Sequence, residues 1–359
     1  MNKIKCAALN FTFHSTYLDH LAPLCFIMKM PLLLTEESQK EQMCKYYPQV
    51  EHEFIPNYTD VDYLALAQKY DMFFQTNMWE DEPIKLLAGA LNKKVKLVYL
   101  PHGNSDKGHR SEYFLQKLFK QDIVLLYGNH IIDRIKRLKL WDKCPPWSRI
   151  GNYRFQFYRL FRSFYDDIAQ KEVFDLFPKK QKTILYAPSW LDPEGSSSFF
   201  KMAKNIAEQL PDDYNFILKC HPLLEERHPH LYYSVIDYFN DRKNVITLTD
   251  FPLIYPLLAK TDVFLGDFSS VGYDFLSFTG PMFFFDVLGQ KDLEDPSHQL
   301  HRVGKQIPLE YYDRIFEYIR DHWDDNLIEA QKQLYDFTFG EEIPFEKLRQ
   351  DIITTFYKK

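Results

Sequence analysis

The chain has 359 residues, of which 45% are hydrophobic. A chain of this length is larger than a single hydrophobic core ordinarily supports, so we predict two domains of comparable size. A net charge of −6 argues against general nucleic-acid binding, because proteins that bind phosphate backbones carry a basic surplus. Five cysteines without a CxxC pair argue against a disulfide framework or a zinc cluster and favour a reducing compartment.

No segment of the sequence is long and apolar enough to predict a transmembrane helix. The longest apolar run, residues 21–34, is interrupted by Lys29 and contains two prolines. The amino terminus lacks the apolar core and the small-residue cleavage site of a signal peptide. We therefore expect a cytoplasmic protein.

Apolar runs alternate with helix-compatible segments through the first half of the chain. In chain order the pattern predicts a strand at 6–13, a helix at 18–28, a strand at 31–34, a helix at 63–69, a strand at 72–75, a helix at 83–91, a strand at 95–100, a helix at 113–120, a strand at 123–127 and a helix at 130–138. Strands separated by helices are typical of βαβ units and predict a parallel sheet.

The second half repeats this alternation. It predicts a strand at 183–186, a helix at 199–210, a strand at 216–219, a helix at 231–239, a strand at 245–248, a helix at 253–259, a strand at 263–265, a helix at 272–278, a strand at 282–285 and a helical tail from 311 onward. Residues 141–178 are rich in arginine and aromatics, contain a Cys-Pro-Pro break and are predicted to form a hinge. The expected domains are 1–150 and 151–340, followed by a helical tail at 341–359.

Polar side chains follow the predicted strands in both halves, at the carboxyl ends where open α/β sheets bind their ligands. His14 and His102 follow strands of the first half. Ser189, His221 and the run 267–270 follow strands of the second half. We therefore expect the chemistry of the protein to lie in these loops.

Residues 261–274, TDVFLGDFSSVGYD, predict a strand that runs into a helix amino terminus. Unpaired backbone N–H groups there, with the hydroxyls of Ser269 and Ser270, suit a phosphate or diphosphate group. The alternative is that the serine pair only caps the helix. A carboxylate one turn on, Asp274, would repel an anion and is better suited to binding hydroxyls of a sugar, ribose or glycerol.

Two further loops carry groups suited to such a ligand. In PHGNSDKG, the glycines permit close approach of the backbone, and His102 titrates near neutral pH, as a base for a hydroxyl nucleophile must. At the end of strand 216–219, Lys219 supplies a positive charge and His221 a hydrogen-bond donor for a diphosphate. The alternatives are a polar surface turn and a loop histidine that binds no ligand.

Residues 134–162 combine nine arginines and lysines with interleaved aromatic side chains. Against the acidic balance of the whole chain, this excess suits an anionic membrane surface or an anionic acceptor polymer. The alternative is a solvated hinge whose arginines stack on aromatic rings.

Familiar catalytic signatures are missing: the sequence has no HExxH helix, Walker loop, GxGxxG fingerprint or GxSxG elbow. This argues against zinc proteases, P-loop NTPases, common NAD enzymes and α/β-hydrolases. The sequence predicts no bound cofactor, assigns no metal ligands and leaves a metal requirement open.

The motifs between residues 95 and 290 resemble, in order, those of the CDP-glycerol glycerophosphotransferases, the enzymes of teichoic-acid synthesis. The run 267–274 with the following GPMFFFD resembles the Asp-Tyr-Ser-Ser-x-x-x-Asp and Lys-Pro-hydrophobic signature of that family. TILYAPSW at 183–190 is similar to its strand and Ala-Pro-Thr turn, Lys219 to Pro222 to its Lys-x-His-Pro, and His102-Gly103 to its His-Gly.

The resemblance implies an α/β protein of GT-B fold, in which two Rossmann-like, doubly wound domains face each other across a cleft. It implies a donor nucleotide held mainly by the second domain and an acceptor entering from the first. The catalytic residues it suggests are His102, as the base, and His221. The residues assigned to donor binding are Ser189, Lys219, Asp267, Ser269, Ser270 and Asp274.

We assign His14, Asn104, Lys107 and Arg154 to the acceptor side. Three of these lie in segments where the chain departs from the family pattern: His-Gly continues as Asn-Ser-Asp-Lys instead of Thr-Pro-Leu-Lys, and Gly-Tyr-Pro-Arg appears as Gly-Asn-Tyr-Arg at 151–154. The departures leave the identity of the acceptor, and of the donor, open.

The function this predicts is transfer of glycerol phosphate, or a related group, from a CDP-linked donor to a hydroxyl of a cell-envelope polymer or lipid-linked glycan. The expected partners are this donor and acceptor and an anionic membrane surface, on the inner face of the cell membrane. One alternative is a GT-B glycosyltransferase that uses a nucleotide sugar. Another is a non-catalytic protein that binds a nucleotide or a polyanion.

Overall fold

The computed structural model of the chain describes residues 4–12, 14–57, 59, 61–79, 83–106, 117–192, 195, 197–285, 298–322 and 327–358. They form two compact units. The first unit comprises the described residues of 1–102, 110–160 and 337–359, and the second comprises those of 103–109 and 161–336.

The first unit contains a sheet of seven strands, all parallel. They are β1 (Cys6–Asn10), β2 (Leu32–Leu34), β3 (His52–Phe54), β4 (Met72–Gln75), β5 (Lys96–Tyr99), β6 (Ile123–Leu126) and β7 (Trp147–Arg149), in the spatial order β3-β2-β1-β4-β5-β6-β7. Its helices are α1 (Leu18–Met28), α2 (Glu37–Tyr46), α3 (Tyr63–Lys69), α4 (Pro83–Ala90), α5 (Asn129–Arg137), α6 (Tyr153–Leu160) and the carboxyl-terminal α15 (Phe345–Thr355).

The second unit contains a sheet of six parallel strands. They are β8 (Lys182–Ala187), β9 (Tyr214–Lys219), β10 (Val245–Leu248), β11 (Val263–Gly266), β12 (Met282–Phe285) and β13 (Lys305–Ile307), in the order β10-β9-β8-β11-β12-β13. Its helices are α7 (Arg162–Glu172), α8 (Phe199–Gln209), α9 (Pro222–Arg227), α10 (Pro229–Ile236), α11 (Tyr255–Leu258), α12 (Ser270–Phe275), α13 (Ile315–Asp321) and α14 (Leu327–Phe339), whose residues from 337 onward belong to the first unit.

The central strands are continuous apolar runs because helices cover both faces of a parallel sheet. Every residue of β1, β11 and β12 is buried. The helix α8 packs its apolar stripe, including Phe199 and Ile206, onto the second sheet. The predicted α/β fold is thus confirmed in both units.

Short elements at the sheet edges escaped prediction. The strands β3, β7 and β13 are three residues long and read HEF, WSR and KQI, so they lack the apolar run that marks a strand. The helices α2, α6, α7 and α9 were also not predicted, and α6 and α7 occupy the segment that we expected to be a hinge. Residues 113–116 of the helix predicted at 113–120 lie outside the described residues.

The compact units differ from the sequence-based bounds in three places. Residues 151–160, which we expected in the second domain, belong to the first unit. The other two differences depend on contacts that join distant parts of the chain. Residues 337–359 join the first unit, where the backbone of Thr338 lies against Gly128 and Arg149 donates a hydrogen bond to Glu341 O at 3.0 Å. Residues 103–106 join the second unit through contacts with α12 and the residues before it. Contacts between residues far apart in sequence decide both assignments, and composition does not encode them.

None of the helices within the described ranges is both long enough and apolar enough to cross a membrane.

Candidate functional site

The second sheet reverses its strand order between β8 and β11, which are neighbours. β9 and β10 continue on one side of this pair, and β12 and β13 on the other. Loops at the carboxyl ends of two such strands diverge and leave a crevice, which is where doubly wound sheets bind ligands. β8 ends at Ala187 and leads to Ser189, and β11 ends at Gly266 and leads to the run 267–270.

Asp267 ties these two loops together. It is fully buried, and its carboxylate accepts hydrogen bonds from Ser189 N at 2.7 Å and from Ser198 N at 3.1 Å. A buried carboxylate that accepts backbone N–H groups is stabilised by them and fixes their position. Asp267, which we assigned to donor binding, therefore shapes the crevice from within the protein, and Ser189 contributes a backbone N–H to that bond.

The serine pair lies at the start of α12. Ser269 is the N-cap residue, with extended backbone angles, but its side chain makes no capping hydrogen bond. Its Oγ is buried without a hydrogen-bond partner among the described residues. The Ser269 side chain therefore does not cap the helix, and its hydroxyl is available to a ligand. α12 is only six residues long, so the helix dipole contributes less here than the sequence led us to expect.

Lys219 is the last residue of β9, the neighbour of β8, and His221 follows that strand. His221 caps α9: its Nδ1 accepts a hydrogen bond from Leu223 N at 3.2 Å. Because Nδ1 accepts, the proton of the neutral ring resides on Nε2, which is then a hydrogen-bond donor. Lys219 is 9% exposed, so its ammonium group acts in a partly desolvated environment.

Asp274 does not present a free carboxylate edge. It is 5% exposed, and its Oδ1 accepts a hydrogen bond from the hydroxyl of Tyr255 at 2.9 Å. We predicted that this residue binds ligand hydroxyls. In the structure a protein hydroxyl already occupies one of its oxygens.

The loop 103–106 packs on α12 and on residues 299–300, which precede β13. Asp106 is 1% exposed and accepts hydrogen bonds from the Tyr273 hydroxyl and from Leu300 N, the latter at 2.8 Å. Burial, followed by the charge of Asp106, raises the pKa of Tyr273 well above its ordinary value. Sequence reasoning missed Asp106 as an anchor, because its partners lie 167 and 194 residues away in the chain. Lys107 lies outside the described residues.

His102 lies in the first unit, after β5. Its Nδ1 contacts Thr76 O at 3.4 Å, and a carbonyl oxygen only accepts, so Nδ1 carries the proton and Nε2 has the free lone pair. Desolvation by its neighbours lowers the pKa of His102, although the residue is exposed, and the Thr76 carbonyl opposes that shift. The imidazole is therefore neutral near pH 7 and can accept a proton at Nε2.

Aromatic rings surround His102 in the first unit. The ring centroids of Tyr17 and His20 lie 5.2 Å and 6.4 Å from that of His102. The ring centroid of His14 lies 5.2 Å from that of Tyr17. His14 thus lies beside the ring that packs on His102. No sequence signal pointed to Tyr17, which precedes the predicted helix 18–28, or to His20, which lies within it.

A second missed pair fixes the loop that carries His102. The hydroxyl of Tyr127 donates to Pro101 O at 3.1 Å and lies 3.2 Å from His20 Nδ1. Because that hydroxyl donates its own proton to Pro101, it accepts from His20 Nδ1. Burial, followed by the charges of Arg154 and His102, lowers the pKa of His20 well below its ordinary value.

Arg154 is 3% exposed and forms an ion pair with Asp19 within the first unit. Its Nε also donates to Asp19 O at 3.0 Å. The guanidinium group therefore holds α1 and α6 together, and its assignment to the acceptor stays a prediction.

Across the described ranges, no three His, Cys, Asp or Glu side chains converge in a way that could hold a metal ion.

Each of the two α/β units has a parallel sheet with polar loops at the carboxyl ends of its strands. This fold is of the GT-B class. The solved structure of the wall teichoic acid polymerase TagF shares this fold: it aligns with 99% of this chain and 89% of its own, with a TM-score of 0.63 and 16% sequence identity. At that level of identity the likeness concerns the fold alone.

Residues 160–298 match the family model described as CDP-glycerol:poly(glycerophosphate) glycerophosphotransferase. This segment is similar to the family that the order of the motifs indicated, and the match covers residues 160–298 of the 359-residue chain. The matched residues include every position that we assigned to donor binding.

Two curated proteins show the same relationship. A segment of the chain is 28% identical over 213 residues to the teichoic acid poly(glycerol phosphate) polymerase of Staphylococcus epidermidis, and this covers 58% of the chain and 28% of that protein. A second is 30% identical over 113 residues to the teichoic acid poly(ribitol-phosphate) polymerase of Bacillus spizizenii, covering 30% of the chain and 17% of that protein. The matched segments thus span less than a third of either relative.

Proposed function

We propose that this protein transfers glycerol phosphate, or a closely related polyol phosphate, from a CDP-linked donor to a hydroxyl group of a cell-envelope polymer or lipid-linked glycan. One observation carries the proposal. The segment that matches the family model holds Ser189, Lys219, His221, Ser269 and Ser270. All of them lie at or just after the carboxyl end of β8, β9 or β11, three neighbouring strands at the reversal of strand order.

The donor diphosphate is the group that these residues suit best. Lys219 supplies a positive charge, and His221 supplies the N–H of Nε2. The Ser269 hydroxyl, which has no hydrogen-bond partner among the described residues, supplies a further donor. Preorganised donors of this kind stabilise the negative charge of a phosphoryl group in the transition state.

The transfer requires a base for the acceptor hydroxyl, and we assign this role to His102. The acceptor proton passes to His102 Nε2 while the acceptor oxygen forms a bond to the phosphorus that bears glycerol. The bond between that phosphorus and the bridging oxygen breaks, and CMP leaves with the electron pair. Lys219 and the Ser269 hydroxyl stabilise the charge that develops on the departing phosphate.

Purified protein, CDP-glycerol and a panel of hydroxyl acceptors test the proposal through the release of CMP. We expect turnover that falls by about a hundredfold or more in His102→Ala, since general base catalysis contributes on that order. His230→Ala, an exposed histidine of α10, is the matched control and should keep its activity. CMP release that survives His102→Ala unchanged would remove His102 from the mechanism.

Donor identity is tested separately by thermal shift. Stabilisation by CDP-glycerol supports the proposal. Stabilisation by UDP-sugars alone would favour the nucleotide-sugar glycosyltransferase, and nucleotide binding without turnover of any acceptor would favour a non-catalytic binding protein.

Attachment to an anionic membrane surface is a further part of the proposal. The end of α5 and the following turn expose Lys136, Arg137, Leu138, Lys139 and Lys143. Lys136 also lies over the half-buried ring of Trp141, at 5.3 Å. Basic residues beside an aromatic and an apolar side chain suit the interface of a bilayer that contains anionic lipids.

Co-sedimentation with vesicles of anionic lipid tests the attachment. Replacing the lysines at 136, 139 and 143 with serine should release the protein from the vesicles at low salt, and binding of the unmodified protein should itself weaken as salt is raised. The control replaces Lys179, Lys180 and Lys182, which are exposed in the second unit, and should bind as the unmodified protein does. No binding by the unmodified protein would end the idea.

A further inference from the structure

Asn104 has a buried amide nitrogen to which the described residues offer no hydrogen-bond acceptor. The residue is 6% exposed, and its Nδ2 has no hydrogen-bond partner among the described residues. A buried N–H group without an acceptor costs folding free energy, and such groups are rare in native proteins unless a ligand or a water satisfies them. The amide therefore marks a place where a hydrogen-bond acceptor is expected.

The neighbours of Asn104 place it beside the turn that carries the serine pair, within the second unit. Gly103 lies against Ser270, so closely that a Cβ on Gly103 would stand 2.4 Å from Ser270 Cβ. On the other side, the hydroxyl of Ser105 lies 3.4 Å from Phe268 O. Asn104 is thus flanked by contacts to the residues on both sides of Ser269.

Ser269 provides an independent observation at the same turn. Its Oγ is also buried without a hydrogen-bond partner among the described residues. Two short segments that contact each other therefore each contain a polar atom whose hydrogen bonding is incomplete. A ligand oxygen that accepts from both would satisfy the two groups at once.

We propose that Asn104 binds a phosphate oxygen of the nucleoside-diphosphate donor, through its Nδ2, at a subsite shared with Ser269. This inference rests on the proposed function and deepens it. It moves Asn104 from the acceptor side, where the sequence analysis put it, to the donor. It also explains how a chain that departs from the family pattern after His-Gly can retain a donor contact there.

The oxygen is assigned to phosphate because the amide supplies a proton and no negative charge, and phosphate oxygens only accept. Asp106, the nearest carboxylate in the loop, accepts hydrogen bonds from Tyr273, Gln299 and Leu300. Its charge is therefore engaged by protein donors.

Three variants test the assignment by calorimetric titration with CDP-glycerol and with CDP, which lacks glycerol. Asn104→Ala should weaken the binding of both ligands about tenfold or more, as expected for a lost hydrogen bond to a charged group. Asn104→Asp should weaken both further, because it places a carboxylate against the diphosphate. Asn240→Asp, which introduces the same charge at an exposed site of the second unit, should leave binding unchanged.

The unliganded protein provides a second readout. Because Nδ2 has no partner to lose, Asn104→Ala should keep or raise the thermal midpoint of the free protein while reducing the shift that CDP-glycerol produces. A CDP-glycerol shift as large in Asn104→Ala as in the wild type would overturn the inference, whatever the midpoint of the free protein. Should Asn104→Asp fail to fold, Asn104→Ala with CDP and with inorganic pyrophosphate decides the matter.

The outcomes separate this inference from the proposed function. Equal binding by the wild type and Asn104→Ala overturns the inference, as does a loss for CDP-glycerol that CDP does not share, since the amide would then contact glycerol. If UDP and UDP-sugars bind in place of the CDP compounds and both Asn104 variants weaken them, the phosphate assignment stands and the proposed donor is wrong. A protein that binds no nucleoside diphosphate contradicts both.

Discussion

At the scale of single residues, the polar groups near the strand ends fall into two kinds. Asp267, Asp274 and Arg154 are buried, with protein hydrogen bonds or ion pairs that engage their charges. The side chains of Asn104 and Ser269 keep polar atoms without partners among the described residues. The first kind stabilises loops and helices of the protein. The second kind is suited to bind a ligand.

Asp267→Ala should destabilise the second unit. The substitution leaves the backbone N–H groups of Ser189 and Ser198 without their acceptor, and losses of this kind cost about 1–3 kcal/mol each in the free energy of unfolding. Asp267→Asn keeps one acceptor oxygen and should cost less. Urea denaturation measures both, with Asp241→Asn, an exposed carboxylate, as the control. An unchanged unfolding midpoint in Asp267→Ala would show that the loops are held otherwise.

The pH dependence of transfer should report on His102. Desolvation lowers the pKa of this imidazole, and only its neutral form can take the acceptor proton. On the acid side, kcat/KM should therefore fall with a midpoint below 6.5, the ordinary pKa of histidine, and it should be flat around neutral pH. A midpoint at or above that value would argue for a base other than His102.

At the scale of elements, the loop 103–106 packs against the turn between β11 and α12. Gly103 has a φ of +125°, a conformation that residues with a Cβ rarely adopt, and it lies against Ser270. The preceding residue in the chain is His102. The backbone of this loop is thus constrained both by its own geometry and by the α12 residue that it touches.

Gly103→Ala should disturb this loop. Strain at positive φ and a contact of 2.4 Å with Ser270 Cβ require the two segments to separate, and overpacking of this kind costs about 1–3 kcal/mol. We expect a lower thermal midpoint and weaker binding of CDP-glycerol. Gly89→Ala is the matched control, because nothing lies within 4 Å of its added Cβ and alanine favours the helix α4. Similar behaviour of the two variants would contradict the tight approach.

At the scale of the whole molecule, histidines with lowered pKa values make the folded state sensitive to acid. Desolvation is the largest cause of the lowered pKa of the buried His20, of the exposed His102 and of the half-buried His301, whose pKa falls to about 4. Below pH 6.5 the unfolded chain binds protons at these sites that the folded chain does not. The free energy of unfolding therefore falls as the pH drops through this range.

His20→Asn isolates one of these contributions. Between about pH 6.5 and the lowered pKa of His20, each buried neutral histidine adds a slope of ~1.4 kcal/mol per pH unit to the free energy of unfolding. The variant lacks that titration, and its amide can still donate to Tyr127. Urea denaturation at about pH 7.5 and 5.5 should show a smaller loss for the variant than for the wild type. Equal losses would mean that His20 is protonated in the folded state.

The sequence by itself determined the α/β alternation and the loops that carry chemistry. Buried parallel strands are written locally, as continuous apolar runs, and the predicted bounds of β4, β10, β12, α1 and α3 coincide with those observed. The motifs around His102, Lys219 and Ser269 also lie in short stretches of chain, so their order alone pointed to the family.

Only the tertiary structure decided the strand order, the weakly apolar edge strands and the use of each polar group. Asp267 and the N–H of Ser189 are 78 residues apart, and Asp106 and Tyr273 are 167 apart. Whether a carboxylate or an amide is satisfied depends on such distant partners, which no local pattern specifies. This is why the sequence could not show that protein groups bond to the carboxylates of Asp267 and Asp274, and why the unpartnered Nδ2 of Asn104 became apparent only in the fold.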